Sequence, residues 1–153
     1  MPNKAELPAW IGKHLHEYQQ SPTKGHAWDA TAAGGHADTP TLLLTTIGRK
    51  SGKQLTAPLI YGVDGTNYVV VASKGGAPEH PSWYLNLHAQ PKVELQVVEK
   101  KTRAVARTAT GAERQRLWAM MTSIYPPYPS YQSKTNREIP VVVLEPIANS
   151  NVS

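Results

Sequence analysis

The sequence predicts a mainly β protein, a small closed or partly closed antiparallel barrel with a few helices. Six short runs rich in β-branched residues are separated by turn signals, and two of the connections have hairpin length. The 153 residues suffice for one core, so a single barrel domain is expected at residues 41–153. Residues 1–40 are expected to supply an N-terminal amphipathic helix and a mobile loop.

The composition narrows the functional classes. The formal charge of +5 favours an anionic partner, whether phosphate, carboxylate, nucleic acid or a lipid surface. The absence of cysteine excludes thiolate metal sites and cysteine nucleophiles, and the histidines lack ligand spacing, so no metal is predicted. The basic residues match no nucleic-acid-binding module, and no nucleic-acid partner is expected.

The N-terminal helix is expected to begin near Pro8. Apolar or amphipathic residues recur three and four apart at Leu7, Trp10, Ile11, His14, Leu15 and Tyr18. The helix either covers the core or lies over the substrate or against a membrane. With no signal-like segment and no apolar run of membrane-spanning length, we expect a cytoplasmic protein, with peripheral membrane contact left open. Residues 21–40, rich in Gly, Ala, Pro and Thr, are interpreted as a linker or mobile loop.

The strands follow in the middle of the chain. They are predicted at Thr41–Ile47, Leu55–Val63, Asn67–Ser73, Lys92–Val98, Thr102–Thr108 and Ile139–Pro146. An Asp64-Gly65 hairpin turn and the short 48–53 connection predict that the first three strands form an antiparallel meander. Residues 68–72 have the composition of a strand buried on both faces, which makes them the expected centre of the sheet.

Two further helices are predicted. Pro81 at a first helical position and Pro91 beyond the end bracket a helix over residues 82–89. Thr110 and Glu113 have the spacing of a capping box at the start of another helix. The apolar face of that helix contains Leu117, Trp118, Met121 and Ile124.

The connection at residues 48–53 carries four cationic or hydroxyl side chains, Arg49, Lys50, Ser51 and Lys53. A nucleotide-binding P-loop is excluded, because one residue too few separates Gly48 from Gly52 and a strand follows where a helix is needed. Gln54 also stands where a P-loop has the Ser or Thr that holds magnesium. A solvated turn and an anion-binding hairpin loop both remain possible interpretations.

Two other segments contain candidate site residues. Lys74 follows the predicted central strand and precedes a flexible Gly75-Gly76 pair, so two cationic loops after neighbouring strands can face one anion. Tyr125, Tyr128 and Tyr131 recur every three residues among prolines that are expected to prevent a regular helix. They suit either a pocket wall that donates hydrogen bonds or a proton to a small planar ligand, or packing across a barrel mouth.

Four separated segments together resemble the deazaflavin-dependent nitroreductase family of actinobacteria. They are residues 42–53, 57–76, 80–97 and 125–132. The likeness covers roughly Thr41 to Pro146, in order and with matching spacings. It implies a split β-barrel fold, of the FMN-binding split-barrel type, and coenzyme F-420, a flavin analogue with a phosphate and an oligoglutamate tail.

The resemblance also implies the site residues. The coenzyme would be held by Arg49, Lys50, Ser51, Leu55, Thr56, Ala57, Pro58, Leu59, Ile60, Val71, Ala72, Ser73, Lys74, Ser82, Trp83, Tyr84, Leu85, Asn86 and Tyr128. Tyr125, Tyr128 and Tyr131 would line the substrate side. Their hydroxyls and that of Ser73 are the candidate catalytic groups. Ile60 stands where the best-known nitro-drug reductase of the family has a tyrosine, a departure that concerns nitroimidazole activation rather than coenzyme binding.

The expected function is therefore an F-420H2-dependent reductase that transfers a hydride to quinones, activated alkenes (enones) or nitro compounds. The expected partner is a small planar electron-poor substrate. Two alternatives are an FMN-dependent split-barrel oxidoreductase and a non-catalytic F-420-binding or storage protein.

Overall fold

A closed six-stranded antiparallel barrel forms the centre of the protein. The structure is a computed structural model that describes residues 9–151, without the side chains of residues 9–12, 23, 24 and 148–151. Its strands are β1 (Ala27–Trp28), β2 (Thr39–Ile47), β3 (Gln54–Asp64), β4 (Asn67–Val71), β5 (Lys92–Val97), β6 (Lys100–Thr108) and β7 (Val141–Asn151). Its helices are α1 (Ala9–Gln20), α2 (Pro22–His26), α3 (Ser82–Ala89), α4 (Gly111–Ile124) and α5 (Tyr128–Ser133).

The barrel closes by a return of β5 to β2. The strand order is β2-β3-β4-β7-β6-β5, and β5 then pairs with β2 between Leu43 and Gln96 and between Thr45 and Glu94. The predicted meander of the first three of these strands is confirmed. The six predicted strands are all present, and β1 is an additional short strand on β2. In a closed barrel no strand is central, so β4 is one of six equivalent members rather than the middle of a sheet.

β4 is buried on both faces, as its composition predicts. Val70 points into the barrel, where it packs with Leu42, Leu44 and Leu95. Val69 and Val71 point outward into a second apolar core between the barrel and helices α4 and α5. Leu117 and Met121 of α4 are fully buried in that second core, which confirms the predicted apolar face.

Residues 21–40 are not the linker or mobile loop that their composition predicts. They contain α2, β1 and a 3₁₀ turn, Thr31–Ala33, and β2 already begins at Thr39. This segment is fixed by α1: Tyr18 is fully buried, and a Cβ on Gly25 would lie 2.4 Å from the Tyr18 Cα. Gly25 is therefore required for close packing, a role that composition alone does not reveal.

α1 confirms the predicted helix, although Leu7 and Pro8 lie outside the described residues. It covers one side of the barrel through His14 and Tyr18. The His14 Nε2 lies 2.8 Å from the Gly25 carbonyl oxygen. The Tyr18 hydroxyl donates to the Thr41 carbonyl at 3.0 Å and accepts from the Val98 amide at 2.9 Å. No helix of the described residues is long and apolar enough to cross a membrane.

Three local predictions about the helices require correction. Pro81 is the N-cap of α3 rather than its first residue. Thr110 is the N-cap of α4, but no capping box forms, because the Glu113 carboxylate accepts two hydrogen bonds from Arg107 instead. The prolines around Tyr128 do not prevent a helix: Pro127 is the N-cap and Pro129 lies in the first turn of α5, where a missing amide costs nothing.

We expect stability to fall as the pH drops from about 7.5 to 5.5. His26 Nε2 lies 2.7 Å from the Tyr61 hydroxyl, and burial lowers the pKa of His26. The unfolded chain then binds protons more readily than the folded one below the ordinary His pKa of about 6.5, so acid favours unfolding. Thermal unfolding at several pH values measures the effect.

His26→Gln keeps a hydrogen-bonding group at this position but cannot titrate. Over the same pH interval, the melting temperature of this variant should fall less than that of the wild type. The remaining loss comes partly from His80, whose pKa is also lowered by burial. An equal acid sensitivity of both proteins would show that His26 does not contribute.

Candidate functional site

Several connections meet at one end of the barrel. Because neighbouring strands are antiparallel, the β2–β3 loop, the residues after β4, the start of β5 and the residues before β7 all lie at this end. The β5–β6 turn lies at the opposite end. The fold thus gathers the basic loop, the Ser73 segment and α3, which are distant in sequence.

The basic loop, residues 48–53, is a closed turn with exposed cations. The Gly48 amide donates to the Lys53 carbonyl at 2.7 Å, and the Gly52 amide donates to the Gly48 carbonyl at 2.8 Å. Arg49, Lys50 and Lys53 are exposed, and none of them forms an ion pair with a described carboxylate. Their charge is therefore available to an anion, which favours the anion-binding interpretation of the loop.

Asn86 of α3 fixes the position of this loop. Its Oδ1 accepts from the Arg49 amide at 3.1 Å and from the Arg49 Nη1 at 2.9 Å, and its Nδ2 donates to the Thr46 hydroxyl at 3.2 Å. The Asn86 side chain is only 1% exposed. One buried amide thus connects the helix, the end of β2 and the basic loop.

The turn after β4, residues 73–77, carries the second cationic group. The Gly76 amide donates to the Ser73 carbonyl at 2.9 Å, and Lys74 adopts a positive φ of 46°. The Lys74 ammonium forms an ion pair with the Glu79 carboxylate at 3.0 Å, and both groups are well exposed. This exposed pair leaves Lys74 able to exchange Glu79 for another anion at little cost.

α5 packs directly on this turn. A Cβ on Gly76 would lie 2.7 Å from the Tyr131 carbonyl oxygen, so only glycine permits the observed approach. Gly76 therefore permits close contact with α5, whereas a Cβ on Gly75 would meet no atom within 4 Å. Through this contact the structure brings the tyrosine segment to the Ser73 turn.

The three predicted tyrosines form one cluster. The ring centroids of Tyr125 and Tyr128 are 4.9 Å apart, and Tyr131 lies 6.0 Å from Tyr125 and 6.4 Å from Tyr128. The hydroxyls of Tyr125 and Tyr131 share a 2.7 Å hydrogen bond. Trp28 and Trp118 extend the aromatic surface against Tyr125 and Tyr128, respectively. Ile60, on the outer face of β3, packs against the same apolar core.

The phenols of Tyr125 and Tyr128 are protonated at neutral pH. Burial raises the pKa of Tyr128 and of Tyr125, and the hydrogen bond to Tyr131 raises that of Tyr125 further. They can therefore donate a hydrogen bond or a proton, but they cannot act as bases. Tyr128 is 3% exposed, and its hydroxyl has no hydrogen-bond partner among the described residues.

The remaining residues predicted to bind the coenzyme include β3 residues on both the inner and the outer face of the barrel wall. Leu55, Ala57 and Leu59 pack toward the barrel interior, whereas Ile60 points to the aromatic cluster. Other side chains are enclosed in a core, namely Val71, Ala72, Trp83 and Tyr84. Thr56 is tied to Thr45 by a 2.8 Å hydroxyl pair, Pro58, Ser82 and Leu85 are half-buried, and the Ser51 hydroxyl accepts from the Lys53 amide.

Sequence reasoning did not identify Arg137 and His80. The Arg137 guanidinium binds carbonyl oxygens of residues 72–77 and the His80 ring. Arg137 lies in the segment between α5 and β7, which contains no recognisable motif. Its only signal in the sequence is a cation four residues before the strongly apolar strand β7.

The fold and the site define a class first: a split β-barrel that presents basic and phenolic groups at one end, as suits an acidic flavin-like coenzyme. Within this class the chain belongs to the F420H(2)-dependent quinone reductase family, whose family model matches residues 18–146. The protein is accordingly an oxidoreductase, and its coenzyme is F-420.

Individual relatives agree with this assignment. The chain is 44% identical over 108 residues to an F420H(2)-dependent quinone reductase of Mycobacterium tuberculosis, an alignment that covers 69% of this chain and 72% of the relative. A solved F420-H2 dependent reductase is 46% identical with a TM-score of 0.65, covering 69% of this chain and 94% of that one. A second solved chain, described as a domain-swapped dimer, is 40% identical with a TM-score of 0.65, covering 86% and 99%.

Replacing Asn86 with Ala should destabilise the protein by about 2 kcal/mol, because Thr46 and Arg49 lose a buried hydrogen-bond partner. Chemical denaturation measures the change in free energy of unfolding. The exposed Asn136→Ala is the matched control and should change stability by less than about 0.5 kcal/mol. If both variants unfold alike, Asn86 does not anchor the loop.

Proposed function

We propose that this protein reduces small quinones with reduced F-420, and that enones and nitro compounds are further acceptors at the same site. The observation that carries the proposal is the tyrosine cluster beside the Ser73 turn, in which the phenols of Tyr125 and Tyr128 are protonated and the buried Tyr128 has no described partner for its hydroxyl. Quinones, enones and nitro groups share an electron-poor centre and an oxygen that becomes negatively charged on reduction.

The basic groups of the site fit the acidic part of the coenzyme. Arg49, Lys50 and Lys53 lack described ion-pair partners, and Lys74 has only an exposed one. The phosphate and carboxylates of F-420 supply several negative charges, which these cations would bind by charge-assisted hydrogen bonds. The connection of Asn86 to Arg49 keeps the loop in place before the coenzyme arrives.

The chain's own residues would orient the acceptor and supply its proton. When bound, reduced F-420 supplies a hydride. The aromatic surface of Tyr125, Tyr128 and Trp118 would hold a flat acceptor and exclude water. The Tyr128 and Ser73 hydroxyls, neither of which has a described hydrogen-bond partner, would donate to the oxygen on which negative charge develops.

Turnover distinguishes a reductase from a coenzyme-storage module. Protein is mixed with reduced F-420 and menadione, and then with a panel of cyclic enones and nitroaromatic compounds, while F-420 oxidation is followed by absorbance. Oxidation above the background rate is expected with menadione. Tight binding of F-420 without oxidation by any acceptor would favour the storage module. Binding of FMN in place of F-420 would favour the FMN-dependent alternative.

Replacing Lys50 with Ala should weaken the binding of F-420 far more than the binding of a deazaflavin without the tail. Lys50 is exposed and forms no ion pair with a described carboxylate. Its ammonium would therefore contact the anionic tail rather than the ring. Fluorescence titration of both ligands measures the two dissociation constants.

Lys101→Ala is the matched control for Lys50→Ala. Lys101 is also exposed, but it pairs with Gln96 near the β5–β6 turn, at the other end of the barrel. This control should bind F-420 like the wild type. Equal losses of affinity for the tailed and tail-less ligands in Lys50→Ala would show that the loop does not hold the tail.

Replacing Tyr128 with Phe should lower kcat for menadione about 100-fold, the effect of removing one donor to a developing negative charge. The fold should survive, because the hydroxyl bonds to no described residue and only one oxygen is removed. Steady-state kinetics and thermal unfolding measure the two effects. Tyr68→Phe, a change at a partly buried position of β4 that packs against the barrel core, is the control and should keep full activity. Unchanged kcat in Tyr128→Phe would remove Tyr128 from the catalytic groups.

A further inference from the structure

Arg137 uses its whole guanidinium on one short stretch of backbone. Its Nε donates to the Ala77 carbonyl at 2.9 Å, its Nη1 to the Ala72 carbonyl at 3.2 Å, and its Nη2 to the Ser73 carbonyl at 2.8 Å. Nη1 also lies 3.0 Å from the His80 Nδ1. The planar fork of an arginine is suited to bind several acceptors at once.

These contacts fix the direction of two amides. In a trans peptide the N–H points opposite to the C=O of the same unit. The chain has no cis peptide bond among the described residues. Because Arg137 lies on the carbonyl side of the Ala72–Ser73 and Ser73–Lys74 peptides, the N–H groups of Ser73 and Lys74 point away from the guanidinium.

The backbone conformation at these residues is one that receives anions. Ser73 is right-handed helical, with φ −78° and ψ −38°, and Lys74 has a left-handed φ of 46°. Successive amides in such an αR-αL pair converge on a concave site for an anionic oxygen. Neither amide donates to any described residue, whereas the Gly76 and Ala77 amides are both used within the turn.

The family resemblance already implies that Ser73 and Lys74 hold the coenzyme. We propose that Arg137 is the positioning residue that directs the Ser73 and Lys74 amides toward an anionic oxygen of the coenzyme. This inference rests on the proposed function and deepens it by naming a residue that would touch neither coenzyme nor substrate. The Lys74 ammonium adds a cation beside the same amides once it leaves Glu79.

Burying the Arg137 guanidinium costs desolvation free energy, which supports a specific role for this side chain in holding the Ser73 turn. Arg137 is half-buried, forms no ion pair with a described carboxylate, and has a pKa lowered by that burial. Its charge is instead spread over three carbonyl dipoles. A cation on the carbonyl side polarises the two peptide units, which makes their N–H groups better donors on the other side.

His80 completes the support from the α3 side. Since arginine has no acceptor, the His80 Nδ1 must accept the 3.0 Å hydrogen bond, which leaves the proton on Nε2 and the ring neutral. The His80 ring packs on Tyr84 of α3 with a centroid distance of 4.9 Å. Arg137 thereby ties the Ser73 turn both to the start of α3 and to the residues before β7.

The full-length protein labelled with ¹⁵N tests the proposal. Titration with F-420 should shift the amide signals of Ser73 and Lys74. Arg137→Gln should abolish these shifts and weaken F-420 binding about tenfold or more, since several charge-assisted contacts are lost. Arg137→Lys, which keeps the charge but not the fork, should show an intermediate loss.

Arg114→Gln is the matched control. The Arg114 Nη2 donates to the Ile139 carbonyl at 2.7 Å and so anchors the same segment from α4, without touching the Ser73 turn. Its loss should lower the melting temperature while the F-420 dissociation constant stays within about twofold of wild type. A general loosening of the segment would affect both arginine variants alike, and that result would overturn the proposal.

Three further outcomes would also overturn it. They are unchanged Ser73 and Lys74 signals when the wild type binds F-420, wild-type affinity in Arg137→Gln, and a fall in kcat without a change in F-420 affinity. If Arg137→Gln does not fold, the proposal is tested by the amide shifts of the wild type and by the F-420 affinity of Arg137→Lys. Failure of the proposed function looks different, because the wild type itself would then fail to bind F-420 or to pass electrons to a quinone.

Discussion

The pairing of β5 with β2 is the constraint on which the rest of the structure depends. It joins residues about fifty positions apart, Leu43 with Gln96 and Thr45 with Glu94, and leaves the six-stranded sheet without open edges. Closure makes one face of every strand an interior and the other an exterior. It therefore creates two apolar cores, one inside the barrel and one beneath α4 and α5, with the Val69–Val71 segment shared between them.

Closure also decides where chemistry can occur. Antiparallel strands return their connections alternately to the two ends, so the basic loop, the Ser73 turn and the start of α3 share one end although the sequence separates them. Two side chains then connect these segments. Asn86 of α3 binds the basic loop, and Arg137, which precedes β7, binds the Ser73 turn. Both side chains form hydrogen bonds to backbone groups of these segments.

The two halves of the site have opposite electrostatic character. On one side lie exposed cations with few described partners, which suit an acidic tail. On the other lie buried phenols, kept protonated because desolvation disfavours their anions. The exposed cations match the anionic coenzyme of the F420H(2)-dependent quinone reductase family.

The sequence by itself determined the strands, the two hairpins, the predicted helices and the family, because β-branched runs, Asp-Gly turns and flanking prolines act over a few residues. Only the tertiary structure decided what depended on distant contacts. Residues 21–40 became ordered elements because Tyr18 and Gly25 pack together, and Glu113 left the α4 cap because Arg107 lies across from it. The sequence identified the cations and tyrosines, whose chemistry is local to the side chain. Arg137 became recognisable only when closure placed its guanidinium against three carbonyl groups some sixty residues away.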